Sequence, residues 1–385
     1  MVPVVPVVPG GDRFGTHRAL EPLGALPQPA WRIDNDFSRL FEGEILLDVE
    51  TLNIDAASFR QMEESEVSGP APATSDNVGQ GGGAEARAER VRKKVLETVA
   101  TRGKQHNPVT GSGGMLLGRV AQIGGRSDGP SPQPSSQGGG GEGGGGFSVG
   151  DRVATLVSLS LTPLRVDGIH AVRAESAQLD VSGQAVLFES GSLVKLPDDL
   201  PERLALAVLD VAGAAPQVAR LVKPGASVLV IGGGGKSGIL CAAEARRRLG
   251  TNGRVIAVES YARYADDVRA LGLCDAVLGI DARDPVAVRR AVLEANGGRE
   301  VDVTFSCVNV PDTEMAAILA TRDRGVVYFF AMSTSFTKAA LGAEGVSKDV
   351  DLMIGNGYAE DHAEHTLAMM HDFAAVRALF EARYG

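Results

Sequence analysis

The chain has 385 residues, 44% of them hydrophobic and 22% charged, with a formal net charge of -10. That apolar content is ample for two packed domains. The acidity, with no Lys/Arg run or basic-aromatic alternation, argues against a nucleic-acid partner. Cys241, Cys274 and Cys307 are spaced too widely for a disulfide framework or a zinc knuckle, so buried thiols in a reduced, cytoplasmic setting are expected.

Residues 1–12 open with MVPVVPVVPGG, an apolar run far too short to cross a bilayer and punctuated by helix-breaking prolines. It lacks the charged start of a signal peptide, and a disordered tail is expected. No later apolar run reaches membrane length, which predicts a soluble protein. Residues 13–200 read as β-rich, with strands at Glu44–Thr51, Met115–Ile123, Asp151–Leu159 and Gln184–Phe188 between Gly, Pro and Asp turns. Two spacers interrupt this half, at 63–88 and 126–147. The second contains GGGGEGGGG. Such composition buries too little surface to offset its ordering entropy, while lengthening a surface loop costs only about 0.6 kcal/mol per doubling. Both are expected to be flexible insertions. Between them, Val91, Val95, Leu96 and Val99 fall at helical spacing and predict a helix over Glu89–Ala100.

From residue 201 to about 350 the rhythm becomes an alternation of helix and strand. Buried-type strands are expected at Ser227–Ile231, Arg254–Val258, Ala276–Ile280, Val301–Ser306 and Gly325–Ala331, with helices such as Lys236–Leu249 and Pro285–Ala295 between them. Continuous apolar strands alternating with helices predict a doubly wound parallel sheet of the Rossmann type, and the fold class is α/β. Residues 351–385 supply a last strand and an amphipathic helical segment, expected to return to the first domain.

The most informative stretch is VLVIGGGGKSG. A β-branched strand runs into Gly232, Gly233, Gly234 and Gly235, and Lys236, Ser237 and Gly238 open a helix. Glycine is needed where backbone turns tightly and where a pyrophosphate must approach without a Cβ in the way; the helix start offers free N–H groups to that phosphate. Gly233, Gly235 and Gly238 read as GxGxxG in its required strand-turn-helix setting. The next strand ends at Glu259, where an acid accepts hydrogen bonds from a ribose and repels a 2′-phosphate. NAD is therefore favoured, while Arg263 keeps NADP possible. A P-loop reading of GGGGKS fails because Val230 stands where that motif needs its first glycine.

Ligands of such sheets lie at the carboxyl ends of strands. That rule selects Asn309, the Ser333–Lys338 loop and Asn356, with turn and cap chemistry as the alternative for each.

Longer segments carry a more specific signal: GTHRALEPLGALPQPAWRIDND, ILLDVETLNIDAASF, NPVTGSGGMLLG, GDRVATLVSLSLTPL, LALAVLDVAGAAPQ, STSFTKAALGAEGV and GNGY. Through them the chain resembles the L-erythro-3,5-diaminohexanoate dehydrogenase family, a zinc-free branch of the medium-chain dehydrogenases. The resemblance spans nearly the whole chain outside the tail and spacers. It implies a GroES-like β-barrel catalytic domain over 13–200 beside the Rossmann domain, NAD as cofactor and a homodimer. It also implies oxidative deamination of a diamino acid at C3 to 5-amino-3-oxohexanoate, ammonium and NADH. Where zinc-binding relatives carry His and Glu, this chain has Gly114 and Met115, so no metal is expected. His362 and His365, in HAEH, fit no zinc motif and are expected as exposed helix residues.

Such a reaction needs a base within hydrogen-bond reach of the reacting amine, an anchor for the carboxylate and an acid for the second ammonium. The polar groups available are Glu50, Asn53, Asp55, His106, Asn107, Thr110, Ser112, Glu189, Asp210 and Lys338. Asp55 or His106 is the candidate base, each with a turn-cap or surface role as its alternative. Asp210, an acid amid apolar residues, is the candidate ammonium partner and Lys338 the candidate carboxylate anchor. A zinc-free ketone or quinone reductase, or a dinucleotide-binding protein without turnover, are the competing functions.

Overall fold

The computed structural model describes residues 4–64, 80–107, 111–125, 146–355 and 357–384. It divides into two compact units, Met1–Leu206 and Ala207–Gly385.

The first unit is built on a six-stranded antiparallel sheet. Its strands are β1 (Ile45–Asn53), β2 (Met115–Ile123), β3 (Arg152–Thr155), β4 (Leu164–Arg173), β5 (Gln178–Leu187) and β6 (Leu193–Lys195). Their order is β6-β3-β2-β1-β5-β4. Helices α1 (Ala56–Glu64) and α2 (Gln80–Arg102) follow β1 in the chain. Val91, Val95 and Val99 form one stripe of α2 and join Ile45, Leu47, Leu52 and Leu164 in the core, whereas Leu96 faces solvent. A stripe repeating every fourth residue is what a helix needs to bury one face on a sheet.

Several expectations change here. Residues 80–88, assigned to the first spacer, form the opening turns of α2, and Glu63 and Glu64 close α1. The run AEARAER is rich in strong helix formers, which a reading focused on missing large apolar side chains undervalues. Residues 65–79 and 126–145 of the expected insertions lie outside the described residues. The expected tail is likewise paired: Val7–Val8 run parallel to Leu40–Phe41, and Val5 N–H donates to Gln122 Oε1 at 2.9 Å. A backbone polar group gains from such pairing whatever its side chain. Near this edge the fully buried Arg18 forks onto Glu44, Nε to Oε1 at 2.8 Å and Nη2 to Oε2 at 2.7 Å.

In the second unit α3 (Glu202–Leu209), which enters from the first, and α4 (Ala214–Leu221) precede a parallel sheet. Its strands are β7 (Ser227–Ile231), β8 (Arg254–Val258), β9 (Ala276–Leu278), β10 (Val301–Ser306), β11 (Thr321–Phe329) and β12 (Asp351–Ile354). The order is β9-β8-β7-β10-β11-β12, parallel throughout. Helices α5 (Lys236–Leu249), α6 (Ala262–Leu271), α7 (Pro285–Ala295), α8 (Glu314–Ala320) and α9 (Phe336–Gly345) connect the strands, with α10 (His362–Asp372) and α11 (Ala374–Tyr384) closing the unit. Val228, Leu229, Val230 and Ile231 are wholly buried and feed two separate cores, one on each face of the sheet. Consecutive connections run outward from β7 in opposite directions, which makes the carboxyl end of β7 the topological switch point where such sheets bind ligands.

The closing helices, expected to return to the first domain, group with the second unit instead. Thr366 Oγ1 donates to the Ala212 carbonyl at 2.8 Å, Arg247 of α5 pairs with Asp372 at 3.1 Å, and Arg383 of α11 pairs with Asp267 of α6 at 2.5 Å. This docking also corrects the expected exposure of two histidines. His362 is buried beside the Tyr358 ring, and His365 is half-buried against Glu244. Cys241 of α5 and Cys307, just past β10, sit with their sulfurs 3.7 Å apart, both as free thiols. Among the described residues no single helix is long and apolar enough to cross a membrane.

Candidate functional site

β7 delivers its last apolar residue, Ile231, into the turn Gly232–Gly235, and α5 starts at Lys236. Gly232 sits at φ +79°, in the left-handed region that favours glycine, and its N–H donates to the Val258 carbonyl at 2.9 Å. A Cβ on Gly238 would lie 2.1 Å from the Gly232 carbonyl oxygen, so the helix can begin this close to the turn only without a side chain there. Over Gly235, by contrast, a Cβ would meet only the Gly232 carbonyl oxygen at 3.7 Å. The first N–H groups of α5 have no partner within the helix, and with the positive end of its dipole they face the space beyond the turn.

Glu259, one residue past β8, is buried. Its Oε2 accepts from Gly234 N–H at 3.0 Å and its Oε1 from Tyr261 N–H at 3.0 Å. Each carboxylate oxygen keeps a second lone pair. Gly234 is also held by Arg383, whose Nη1 donates to the Gly234 carbonyl at 2.7 Å. The Arg383 guanidinium lies 4.8 Å from the Tyr264 ring centroid. Sequence reasoning missed Arg383 and Tyr264, because no local motif joins the far end of the chain to a turn 149 residues away. Lys236 Nζ donates to Asp210 Oδ2 at 2.5 Å, and this acid raises the lysine's pKa against the opposing effect of burial. Asp210, expected to meet a substrate ammonium, is therefore held by the lysine that opens α5. Asn309 is exposed beyond the end of β10. Ser237 is buried in the first turn of α5. This constellation fits a dinucleotide: a glycine cradle that a Cβ would fill, helix N–H groups for a pyrophosphate and an acid at the neighbouring strand end.

The other loops at this edge follow the turn-chemistry alternative. Ser335 Oγ accepts from Lys338 N–H at 3.3 Å and caps α9, and Thr334 Oγ1 donates to the Ala331 carbonyl at 2.9 Å. Lys338 itself is largely exposed and ion-paired with Asp312, which raises its pKa. Asn356 lies outside the described residues.

A second group of candidates gathers in the first unit. Asp55 caps α1: Oδ1 accepts from Ser58 N–H at 2.9 Å and Oδ2 from Ser58 Oγ–H at 2.5 Å. Asn107 Nδ2 reaches Ser58 Oγ at 2.7 Å and Gln61 Oε1 at 3.0 Å, so Asp55, Ser58, Asn107 and Gln61 form one chain of hydrogen bonds. His106 adjoins it. Burial, with the nearby charges of Lys104 and Arg102, pushes its pKa from 6.5 down to about 4. Its Nδ1 is buried and has no partner among the described residues. Ser58, Gln61, Asn107, His106, Arg102 and Trp31 border a cavity of about 420 Å³. Glu50 stands apart, tied to Arg119 and Arg152 at 2.9 and 2.7 Å, and Asn53 is buried with Oδ1 3.2 Å from Gln178 Nε2. Ser112 gives its carbonyl to Asn107 N–H at 2.7 Å, Glu189 follows β5, and Thr110 lies outside the described residues. Among the described residues no group of three or more His, Cys, Asp or Glu side chains could hold a metal ion.

An antiparallel β unit followed by a parallel sheet with a glycine-rich turn at its switch point is the architecture of the medium-chain dehydrogenases and reductases, a GroES-like domain joined to a Rossmann domain. A mycobacterial quinone oxidoreductase shares this fold, with a TM-score of 0.51 and 19% identity over 88% of this chain and 82% of that one. Residues 17–197 match the family model described as the L-erythro-3,5-diaminohexanoate dehydrogenase N-terminal domain. L-erythro-3,5-diaminohexanoate dehydrogenases from Acetoanaerobium sticklandii and Fusobacterium nucleatum subsp. nucleatum are each 47% identical to it over 97% of this chain and 99% of their own length. The chain belongs to the L-erythro-3,5-diaminohexanoate dehydrogenase family.

Proposed function

We propose that this protein oxidises the 3-amino group of L-erythro-3,5-diaminohexanoate with NAD and water, giving 5-amino-3-oxohexanoate, ammonium, NADH and a proton. The observation that carries the reading is near-full-length identity of 47% to two enzymes of that name, in a chain whose β7–α5 turn has the dinucleotide geometry. A nicotinamide dinucleotide, when bound, supplies the hydride acceptor.

The residues divide the remaining work. The N–H groups of Lys236, Ser237 and Gly238 receive the pyrophosphate. Glu259 takes a ribose hydroxyl on its spare lone pairs and disfavours a 2′-phosphate by charge repulsion, which favours NAD over NADP. His106, neutral at neutral pH, is the candidate proton acceptor for the reacting ammonium, and for the water that afterwards adds at the same carbon. Asp55 has both oxygens committed to Ser58 and acts by orienting the Ser58–Asn107 side of the cavity. Asn309, beyond β10, is the further candidate for the cofactor. The assignment as a homodimer follows the family resemblance, and a cytoplasmic setting is favoured by the three free thiols. The deciding experiment is a steady-state assay of NADH or NADPH formation from 3,5-diaminohexanoate. Turnover with NAD supports the reading; its absence, with reduction of simple ketones or quinones by NADPH, overturns it.

A further inference from the structure

Of the cations near the candidate chemistry, two pair with no carboxylate among the described residues, Lys94, which is exposed, and Arg102, which is half-buried. Lys236 is held by Asp210 and Lys338 by Asp312, while Lys104 is spent on the carbonyls of Pro27 and Gln28 at 2.6 and 2.9 Å. Arg102 differs. Its guanidinium carbon stands 3.6 Å from the centroid of the Trp31 ring, and it pairs with no carboxylate among the described residues. Stacking occupies the face of a guanidinium and leaves the in-plane N–H fork open, the geometry that grips a carboxylate with two parallel hydrogen bonds. Partial burial lowers the pKa of Arg102, the mark of a charge losing hydration without a partner to replace it.

The fork borders the cavity of about 420 Å³ that also holds His106, Asn107, Ser58 and Gln61. That volume lies in the range of small-molecule sites. The cavity is also bordered by Trp31 and Met62, and by Lys94 and Glu97, but Arg102 is its half-buried cation, beside a neutral imidazole and a set of amide and hydroxyl groups, so it suits a small molecule with an anionic end and a short apolar skeleton.

We propose that Arg102, presented edge-on by Trp31, is the anchor for the substrate carboxylate. This rests on the function proposed above and replaces Lys338 in the role. With the carboxylate held on Arg102, the amine-bearing carbons extend toward His106. The anchor also neutralises one of the charges that oppose protonation of His106, so an occupied cavity makes the imidazole a stronger base.

The test uses the full chain with Arg102→Met and Arg102→Lys. Two substrates are compared: 3,5-diaminohexanoate and pentane-2,4-diamine, the same skeleton without the carboxylate. Arg102→Met is expected to raise KM for the diamino acid about 10- to 100-fold, the loss of a charge-assisted pair, with kcat within a few-fold of wild type. Arg102→Lys recovers part of that loss, and KM for the diamine is alike in all three proteins. An unchanged KM for the diamino acid overturns the proposal, as does an equal loss on the diamine, which signifies general damage. Should wild type form no NADH, the functional reading fails by itself, and titration decides the anchor separately. Trp31 is the only tryptophan in the chain and gives a fluorescence readout for wild type, with calorimetry following both proteins. Binding of the diamino acid at least tenfold weaker to Arg102→Met supports the anchor; equal or no binding to both proteins overturns it.

Discussion

Arg383, in the last turn of α11, donates through Nη1 to the carbonyl of Gly234 while Nη2 is fixed by Asp267. The turn between β7 and α5 is thus gripped from outside its own βαβ unit. Glu259 takes the N–H of the same glycine. Gly234, in the middle of the turn, is thus held through both of its backbone polar groups by charged partners, and hydrogen bonds to charged groups are worth about twice neutral ones.

Loss of the outer grip should weaken dinucleotide binding more than it slows chemistry. Arg383→Ala is expected to raise KM for NAD about tenfold with kcat little changed, and Arg383→Lys to fall between. Steady-state kinetics beside a thermal melt check this; an unchanged KM in a folded variant contradicts it.

Gly238→Ala is expected to be severe. The added methyl would sit 2.1 Å from the Gly232 carbonyl oxygen and only 2.8 Å from the Gly233 Cα, both backbone atoms that cannot rotate away. The turn must open or α5 must shift. Affinity for NAD should fall by more than about tenfold, readable by calorimetry, and stability by about 1–3 kcal/mol.

The first unit should lose stability toward acid through His106. Its folded pKa lies near 4, below the ordinary 6.5, so between these values the unfolded chain binds the proton more readily. The contribution is complete above 6.5 and is lost as pH falls toward 4. Urea unfolding followed through that window should show a smaller decline for His106→Gln than for wild type. Equal slopes for the two proteins would refute this. If His106 also serves as the base, His106→Gln abolishes most turnover at neutral pH.

Arg18→Met strands the buried Glu44. Burial alone would push that carboxyl's pKa up, but hydrogen bonds from Arg18 and His17 outweigh it and hold the pKa low. Removing one partner of such a pair costs about 3–5 kcal/mol. A denaturant midpoint close to that of wild type would show that the edge relaxes around the charge.

Much of the second unit was legible in its sequence, because its signals are local. β7, β8, β10, α5 and α7 occupy the stretches expected of them, since buried parallel strands are continuous apolar runs and the glycines mark the turn. β11 begins four residues earlier than expected, at Thr321, which pairs with Val301 ahead of a register shift, and the charged residues that follow it hide this start in the sequence. The first unit was harder. β4 escaped notice because Asp167 and Gly168 interrupt its apolar alternation, and its register against β5 shifts there, so only the partner strand identifies it. β5 starts six residues before its expected limit for the same reason. At the candidate site, the glycines and Glu259 could be read from pattern. The Trp31–Arg102 stack and the Arg383–Gly234 contact could not, since each joins segments far apart in sequence with no spacing rule between them.

The double attachment of Glu259 bears on attempts to re-engineer the coenzyme. Exchanging this acid for a neutral or basic side chain, the usual route toward accepting a phosphorylated ribose, would also strip the loop of a strut and leave Gly234 N–H wanting an acceptor. A switch of preference therefore calls for at least two coordinated changes, one to welcome the new phosphate and one to rebuild the support that the carboxylate gave.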